Sequence, residues 1–169
     1  PAGQYTPPKS VGNGETFPRN LITQEEVRRG VALLADQVAV RLRRHRMKAT
    51  TLQVTIRDPN FKDICRQRPL PAPTCTAREL MRAALEIIGC GGEADAPIRA
   101  ITLTAQNLIP EDEATEQLGL FAPEEPHRRD KAEKLERVVD RLRERYGHDA
   151  VTPAVLVPAP GTEENDVPF

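Results

Sequence analysis

Two segments of alternating apolar and polar residues constrain the fold of this 169-residue chain most strongly. Residues 51–58 read TLQVTIRD, and residues 98–108 read IRAITLTAQNL. Because successive side chains of a strand point to opposite faces, each segment predicts a strand with one buried and one exposed face. The positions predicted to face the core are Leu52, Val54, Ile56, Ile101 and Leu103.

Two amphipathic helices are predicted to cover the apolar side of these strands. The first begins after Thr23, an N-cap residue followed by Glu25 and Glu26, whose charges favour a helix N-terminus. Its apolar residues recur at helical spacing and are Val27, Val31, Leu34, Val38 and Leu42. The second helix, TARELMRAALEII, is capped by Thr74 or Thr76 and stopped by a glycine-rich segment.

Two further strands complete the predicted sheet. Residues 9–21, KSVGNGETFPRNL, predict a short edge strand that runs into a turn, since Gly12 and Gly14 oppose a helix. Residues 61–70, FKDICRQRPL, predict the second strand of a hairpin whose turn is formed by residues 58–60. The order β-α-β-β-α-β predicts an α+β fold in which a four-stranded sheet carries two helices on one face.

The other face of this sheet is predicted to stay open, lined by Thr, Gln and Arg side chains that make it polar and basic. Ordinary exposure to solvent explains such a face, and so does a nucleic-acid backbone lying across it. Residues 9–110 carry 16 Lys and Arg against 10 Asp and Glu, whereas residues 111–169 carry 8 against 15. A net charge of +6 followed by −7 predicts a polyanionic partner for the first part alone.

A group of cations lies at the end of the first predicted helix and just beyond it. Its members are Arg41, Arg43, Arg44, Arg46 and Lys48. They complement the negative end of the helix dipole, and phosphate contact is the alternative interpretation. The sequence alone leaves both interpretations open.

The chain is predicted to consist of one folded domain with flanking segments. Residues 1–8 predict a linker, residues 9–110 the domain, residues 111–129 a flexible acidic linker, and residues 151–169 a disordered Pro-rich tail. Residues 130–150 predict an amphipathic helix, which has to dock or fray because an isolated helix of this length is marginally stable. Its apolar stripe runs over residues 130–146, is ended by Gly147, and consists of Ala132, Leu135, Val138, Val139, Leu142 and Tyr146.

Composition and motifs argue against several classes of protein. Three cysteines without C-x-x-C spacing and three separated histidines predict neither a disulfide framework nor a structural zinc site, and a reducing cytoplasm is the expected location. No P-loop, GxGxxG, H-E-x-x-H or nucleophile elbow occurs, and the acids form no metal-binding cluster. No apolar run is long enough to span a bilayer, and no catalytic site is predicted within these residues.

Three stretches together resemble the C-terminal little-finger domain of Y-family, translesion DNA polymerases. They are PPKSVGNGETFPRNL, FKDICRQRPLPAPT and IRAITLTAQNL. The first is similar to the family pattern K-S-[IV]-G-x-[ST]-T-F, and the resemblance covers roughly residues 7–110. This chain departs from the family at Cys65, where Ser or Thr is usual, at Gln67, where Ser is common, and at Thr55, where a basic residue is often found.

The resemblance implies a DNA-gripping role within a polymerase. A little finger lies in the major groove of the template-primer duplex and holds phosphates without reading bases, as tolerance of lesions requires. The implied contacts are Lys9, Ser10, Gly12 and Thr16 in the first stretch, Arg57, Arg66 and Arg68 in the hairpin, and Thr102 and Thr104 in the last strand. Strand parity places Arg66 on the side of Ile64 unless a bulge intervenes. The catalytic carboxylates and their Mg²⁺ are expected in a palm domain outside these residues, and no cofactor is expected within them.

A short segment of the acidic linker implies a second partner. Gln117-Leu118-Gly119-Leu120-Phe121 resembles the pentapeptide Q-L-[SD]-L-F with which Y-family polymerases bind the bacterial sliding clamp. Leu120 and Phe121 could each gain about 2–3 kcal/mol in an apolar pocket, and Gln117 could fix the register of the peptide. Gly119, in place of Ser or Asp, is expected to weaken binding through its backbone freedom. An apolar patch that folds back on the chain is the alternative interpretation.

Two functions of different classes therefore remain open. The first is the DNA-binding and clamp-docking region of an error-prone, nucleoid-associated DNA polymerase. The second is a non-catalytic scaffold, or an inactive relative of such a polymerase, that uses the same fold. Two aspartates and a glutamate upstream of Pro1 in the full-length gene would separate them.

Overall fold

The computed structural model describes residues 8–89, 96–114 and 126–154, which form an α+β fold and confirm the predicted class. The elements in chain order are β1 (Val11–Leu21), α1 (Gln24–Arg44), β2 (Met47–Arg57), β3 (Asp63–Thr74), α2 (Ala77–Gly89), β4 (Ile98–Gln106), β5 (Ile109–Pro110) and α3 (Pro126–Tyr146). A 3-10 turn, His148–Ala150, follows α3. None of the helices within the described ranges combines the length and apolar character needed to cross a membrane.

The four long strands form one antiparallel sheet in the order β1-β4-β2-β3, and the short β5 pairs with β2. The hairpin between β2 and β3 turns at Asp58, whose side chain accepts the amides of Asn60 and Lys62 at 2.8 and 2.9 Å. The predicted edge position of β1 is confirmed. Its predicted length is wrong, because the strand continues for 11 residues to Leu21 instead of turning early.

The core lies between one face of this sheet and the helices α1 and α2, as the periodicity predicted. Thr23 forms a capping box with Glu26 at the start of α1, which satisfies free amides at the helix N-terminus. Each large apolar side chain in this layer contributes about 1.5–3 kcal/mol by leaving water. Fully buried side chains of the core include Val31, Leu34, Val38, Leu42, Leu52, Val54, Leu80, Ile101 and Leu103.

Both ends of the predicted acidic linker are helical. Residues 111–114 are helical, and α3 begins at Pro126, so the predicted linker over residues 111–129 is wrong at both ends. Proline is well tolerated in the first helical turn, where its missing N–H has no helical partner. The helix ends at Tyr146, which confirms Gly147, with a φ of +101°, as the residue that ends it. The segment of residues 130–150 assigned to this helix therefore extends four residues too far.

The helix α3 docks on the helical layer through its charged face. Arg43 at the end of α1 donates to Asp140 through Nε and Nη2 at 2.6 and 2.9 Å, to Glu136, and to the carbonyl oxygen of Cys75 at 2.9 Å. Arg143 donates to both carboxylate oxygens of Asp36 at 2.9 and 3.1 Å. We call this set of buried and half-buried charges the ionic layer, which comprises Asp36, Arg43, Lys48, Glu133, Glu136, Asp140 and Arg143.

One carboxylate of the ionic layer also caps another helix. Both oxygens of Glu136 accept the backbone N–H of Ala77, the first residue of α2, at 2.9 and 3.1 Å. Burial raises the pKa of Glu136, and the hydrogen bonds from Ala77 and Arg43 oppose that rise. The helix α3 therefore satisfies a free N-terminal amide of α2 from outside that helix.

Candidate nucleic-acid interface

The face of the sheet opposite the helices is organised as three rows of side chains that cross all four strands. In an antiparallel sheet, directly paired residues point to the same face, so the strand register defines these rows. The first row is Gly12, Thr104, Gln53 and Gln67; the second is Gly14, Thr102, Thr55 and Cys65; the third is Thr16, Ala100, Arg57 and Asp63. None of these residues is buried. We call this surface the open face.

Two glycines of β1 shape one side of the open face. A Cβ atom at Gly14 would collide with the Thr102 side chain, and one at Gly12 would lie 3.0 Å from Thr104 Oγ1. The two threonine side chains therefore lie against the backbone of β1, at positions where only glycine leaves enough room for them. The result is a shallow groove whose lining includes threonine hydroxyls, the Gln53 amide and exposed strand backbone. This explains why Gly12 and Gly14 extend the strand instead of ending it.

The open face is polar as predicted, but it is not basic. Arg57, the one cation in the three rows, binds Asp63 through two hydrogen bonds, Nε to Oδ1 at 2.7 Å and Nη2 to Oδ2 at 2.8 Å. These hydrogen bonds raise the pKa of Arg57 and hold the pKa of Asp63 below its ordinary value of 3.8. The expectation of a basic face is wrong because Asp63, directly opposite Arg57 in the hairpin, cancels its charge.

The two arginines of β3 lie on the other side of the sheet. Arg66 pairs with Val54 and Arg68 with Leu52, in a register that runs without a shift from Leu52 to Arg57. No bulge intervenes, so strand parity places both side chains on the helix side of the sheet. They are exposed there because β3 is an edge strand. Arg68 Nη1 lies 3.9 Å from Glu86 of α2. The two arginines thus border the open face without belonging to it.

The N-terminal candidates occupy two settings. Gly12 and Thr16 belong to the open face, whereas Lys9 and Ser10 are exposed just before β1 begins. Arg41 of α1 donates to the carbonyl oxygen of Gly12 at 2.7 Å, which ties the end of the helix to this strand. The sheet therefore brings Gly12, Thr16, Arg57, Thr102 and Thr104 together on one surface.

Most of the cations at the end of α1 make contacts within the protein. Arg43 belongs to the ionic layer, and Lys48 Nζ lies 2.9 Å from Glu133. With Arg41 bound to Gly12, three of the five predicted cations have internal partners. Arg43 and Lys48 are thus buried and paired with carboxylates, whereas the exposed Arg41 keeps further N–H groups that can reach a phosphate.

Sequence reasoning did not name Gly14, Gln53 or Gln67 as candidate contacts, although it expected Gln side chains on the open face. The alternation of β2 alone marks Gln53 as outward-facing. The register between β2 and β3 was needed to place Gln67 and Cys65, because an edge strand lacks a clear apolar pattern. The predicted clamp segment, Gln117–Phe121, lies outside the described residues.

One group of possible metal ligands lies near the ionic layer. The ligand atoms of Cys75, Glu111 and Glu133 lie within 4.8 Å of one another. Lys48 and Arg137 already pair with these carboxylates, and burial raises the pKa of the Cys75 thiol to about 12. A protonated thiol and two carboxylates that are already paired with cations form a poor site for a metal ion. We therefore interpret this group as a cluster of ion pairs.

Comparison with known proteins finds a matching family and related sequences. Residues 8–120 match the model of the impB/mucB/samB family C-terminal domain. A DNA polymerase IV of Acetivibrio thermocellus is 35% identical over 151 residues, which cover 89% of this chain and 37% of that protein. A DNA polymerase IV of Oceanobacillus iheyensis is 31% identical over 144 residues, covering 85% of this chain and 33% of that protein. The chain thus spans little more than a third of the length of these relatives.

A solved structure shares the fold. It is described as a complex of the beta-clamp processivity factor and the little finger domain of PolIV, and it aligns with a TM-score of 0.50 at 16% identity. The alignment covers 60% of this chain and 90% of that one. The chain belongs to the impB/mucB/samB C-terminal family, the little-finger domain of Y-family DNA polymerases.

Proposed function

We propose that the open face holds the backbone of the template-primer duplex for a translesion DNA polymerase, independently of base sequence. The observation that supports this most directly is the three-row array of hydroxyl, amide and glycine positions. Such groups donate hydrogen bonds to phosphate oxygens without distinguishing base pairs. The relatives named DNA polymerase IV support the polymerase context.

The nucleotidyl-transfer step belongs to the part of the polymerase outside this chain. In this proposal the palm domain supplies the catalytic carboxylates and binds Mg²⁺, while the open face keeps the duplex in place in the bacterial cytoplasm. The alternative is a scaffold or inactive relative that binds DNA without polymerising it. Extension of a primer by the full-length protein, and its loss when palm aspartates are replaced, separates the two.

Cations beside the open face are expected to supply the electrostatic part of the affinity. If about four phosphates are neutralised, log K falls against log salt with a slope of roughly −3 to −4. The variant Arg66→Ala with Arg68→Ala should reduce the steepness of that slope by up to about 2 and weaken binding equally for every duplex sequence. Fluorescence anisotropy with three unrelated template-primer duplexes measures both quantities.

A matched control tests whether the position of the two removed arginines matters, or only the loss of their charge. Arg28 and Arg29 are both exposed, and they lie on α1 far along the chain from β3. The variant Arg28→Ala with Arg29→Ala removes the same charge and should leave the slope unchanged. An unchanged slope in the Arg66 and Arg68 variant would remove these two arginines from the interface.

We also propose that Gln117–Phe121 docks the protein on the bacterial sliding clamp. The support is the resemblance of this segment to a clamp-binding pentapeptide, together with the structural neighbour described as a clamp complex. In sequence the segment follows the last strand of the sheet, between Ala114 and Pro126, and supplies no residue of the three rows. We expect the duplex and the clamp to be contacted through different residues.

Two substitutions test the clamp proposal. Leu120→Ala with Phe121→Ala should abolish binding to an immobilised sliding clamp in surface plasmon resonance, while duplex affinity stays unchanged. The parent segment is expected to bind with micromolar affinity, since ordering a short peptide offsets much of its burial energy. Leu135→Ala with Tyr146→Ala removes comparable exposed apolar surface from α3 and serves as the control. Equal affinity of parent and Leu120/Phe121 variant would contradict the assignment.

A further inference from the structure

The helix α3 presents its apolar side to solvent. Leu135, Val138, Leu142 and Tyr146 are 64, 44, 38 and 66% exposed, and their spacing of three, four and four residues places them on one face. Four of the six residues of the predicted stripe therefore face away from the domain, while Ala132 and Val139 are half-buried and the charged side docks. We call these four residues the α3 stripe.

A row of cations runs along one flank of the α3 stripe. Lys131, Lys134, Arg141 and Arg145 are all exposed. At about 100° per residue, Lys134, Arg141 and Arg145 lie on one side of the stripe, whereas Lys131 falls within its angular range. The guanidinium carbon of Arg145 lies 5.6 Å from the centre of the Tyr146 ring, which shows the direct contact between row and stripe. The exposed surface of α3 is thus apolar along its middle and basic along one edge.

The chain leaves α3 on the opposite flank. After Gly147 reverses its direction, the carbonyl oxygen of Val151 accepts a hydrogen bond from Arg143 Nε at 3.1 Å. Arg143 also binds Asp36 of α1, so this flank adjoins the ionic layer. The described chain thus reaches this flank at Val151. A segment that starts from this flank has to cross the α3 stripe to reach the basic row.

The residues that follow have a matching order of side chains. Val155, Leu156 and Val157 come first, and the acids Glu163, Glu164 and Asp166 come later. The α3 stripe is about 17 Å long at 1.5 Å per residue, whereas 15 extended residues reach about 50 Å. The segment is long enough to set its apolar residues on the stripe and its acids on the basic row.

We propose that residues 155–169 of this chain cover the exposed face of α3. Val155–Val157 pack on the α3 stripe, and the acids at 163, 164 and 166 pair with the cations along its edge. Apolar burial and charge complementarity act together, and the covalent connection raises the local concentration of the segment. The helix is then enclosed on both sides, by the ionic layer and by the tail.

Solvent exposure of the stripe methyl groups in the 169-residue chain tests this proposal. A soluble gadolinium chelate enhances the relaxation of exposed methyl protons, which NMR resolves for each residue. In Leu156→Asp, the enhancement at Leu135, Val138 and Leu142 should rise at least twofold over the parent chain. Ile22 is 69% exposed far from α3 and should not change. Thr152→Asp adds the same charge just before the segment and should leave all four residues at parental values.

A charge exchange checks the polar half of the contact. Replacing Lys134, Arg141 and Arg145 by Glu should expose the stripe, and adding Glu163→Lys, Glu164→Lys and Asp166→Lys should restore its protection. Parental enhancement in Leu156→Asp, or no restoration by the exchange, overturns the proposal. Protection that is lost on dilution also overturns it, because a second copy of the chain would then be the occupant.

Discussion

The open face and the ionic layer lie on opposite sides of the same sheet and handle charge in opposite ways. The open face offers hydroxyls, amides and glycines, and its single arginine is neutralised by Asp63. The ionic layer holds Arg43 and Arg143 almost out of water, Arg43 between Glu136 and Asp140 and Arg143 against Asp36. The domain therefore uses its buried charges to hold α3, and keeps the surface proposed for DNA nearly neutral.

This contrast shows why a net charge is a poor guide to an interface. The excess of +6 in residues 9–110 is counted over the whole domain, but Arg41, Arg43, Lys48 and Arg57 all have partners inside the protein. A neutral polar face suits a grip that has to slide along DNA, since hydrogen bonds to phosphates are short-ranged and equivalent along the duplex. Attraction over longer distances then has to come from cations at the rim.

The largest expected effect concerns the ionic layer. Arg43→Ala removes the buried cation shared by Glu136 and Asp140 and leaves two half-buried carboxylates without it, which should lower the free energy of unfolding by about 3 kcal/mol. Urea unfolding measures this loss. Arg29 pairs with Glu25 on the exposed side of α1, so Arg29→Ala should cost no more than about 0.5 kcal/mol. Similar losses in the two variants would show that the ionic layer contributes no more than a surface pair.

The second effect concerns the middle of the open face. Thr55 lies between Thr102 and Cys65 in the central row, so Thr55→Glu should repel phosphates and weaken duplex binding at least tenfold, about 1.4 kcal/mol. The lysine of Thr55→Lys is also long but carries the opposite charge to glutamate, so this variant should strengthen duplex binding. Anisotropy titrations of both variants measure the difference. Equal affinities for the Glu and Lys variants would place the duplex elsewhere.

The smallest effect tests the neutrality of the open face itself. Asp63→Asn frees Arg57 for a phosphate, so duplex affinity should rise about threefold and the salt slope should steepen by about 0.9. A change of pH cannot replace this substitution, because the pKa of Asp63 is lowered from 3.8 and the carboxylate stays charged at the pH of a binding assay. The pair contributes stability above the unfolded-state pKa of Asp63 and loses it as the pH falls through the lower folded-state value. A fall in affinity would mean that the ion pair itself contacts DNA.

Much of the fold was readable from local patterns. The alternation of Leu52, Val54 and Ile56 fixed the buried face of β2, and Thr23 with Glu26 marked the start of α1. Strand parity also placed Arg66 correctly on the side of Ile64. These features depend on residues close in sequence, where side-chain direction follows directly from backbone periodicity.

The rest depends on pairs of residues far apart in the chain. Nothing near Arg43 predicts that Glu136, 93 residues later, is its partner, and nothing in α3 shows that its charged side docks. The length of β1 escaped prediction for a similar reason, since Gly12 and Gly14 make structural sense only under Thr104 and Thr102. The same holds for Asp63, whose effect on Arg57 follows from the hairpin register.

Chemical protection of Cys65 tests the central claim most directly. Cys65 is exposed on the open face, whereas Cys75 is buried with a pKa of about 12 and provides an unreactive reference. Alkylation followed by peptide mass spectrometry should show that a saturating template-primer duplex slows the reaction of Cys65 at least tenfold at low salt. The protection should disappear at about 1 M NaCl, where phosphate contacts are lost. An unchanged rate at Cys65 while anisotropy shows the duplex bound would contradict the account, because the DNA would then lie on another face.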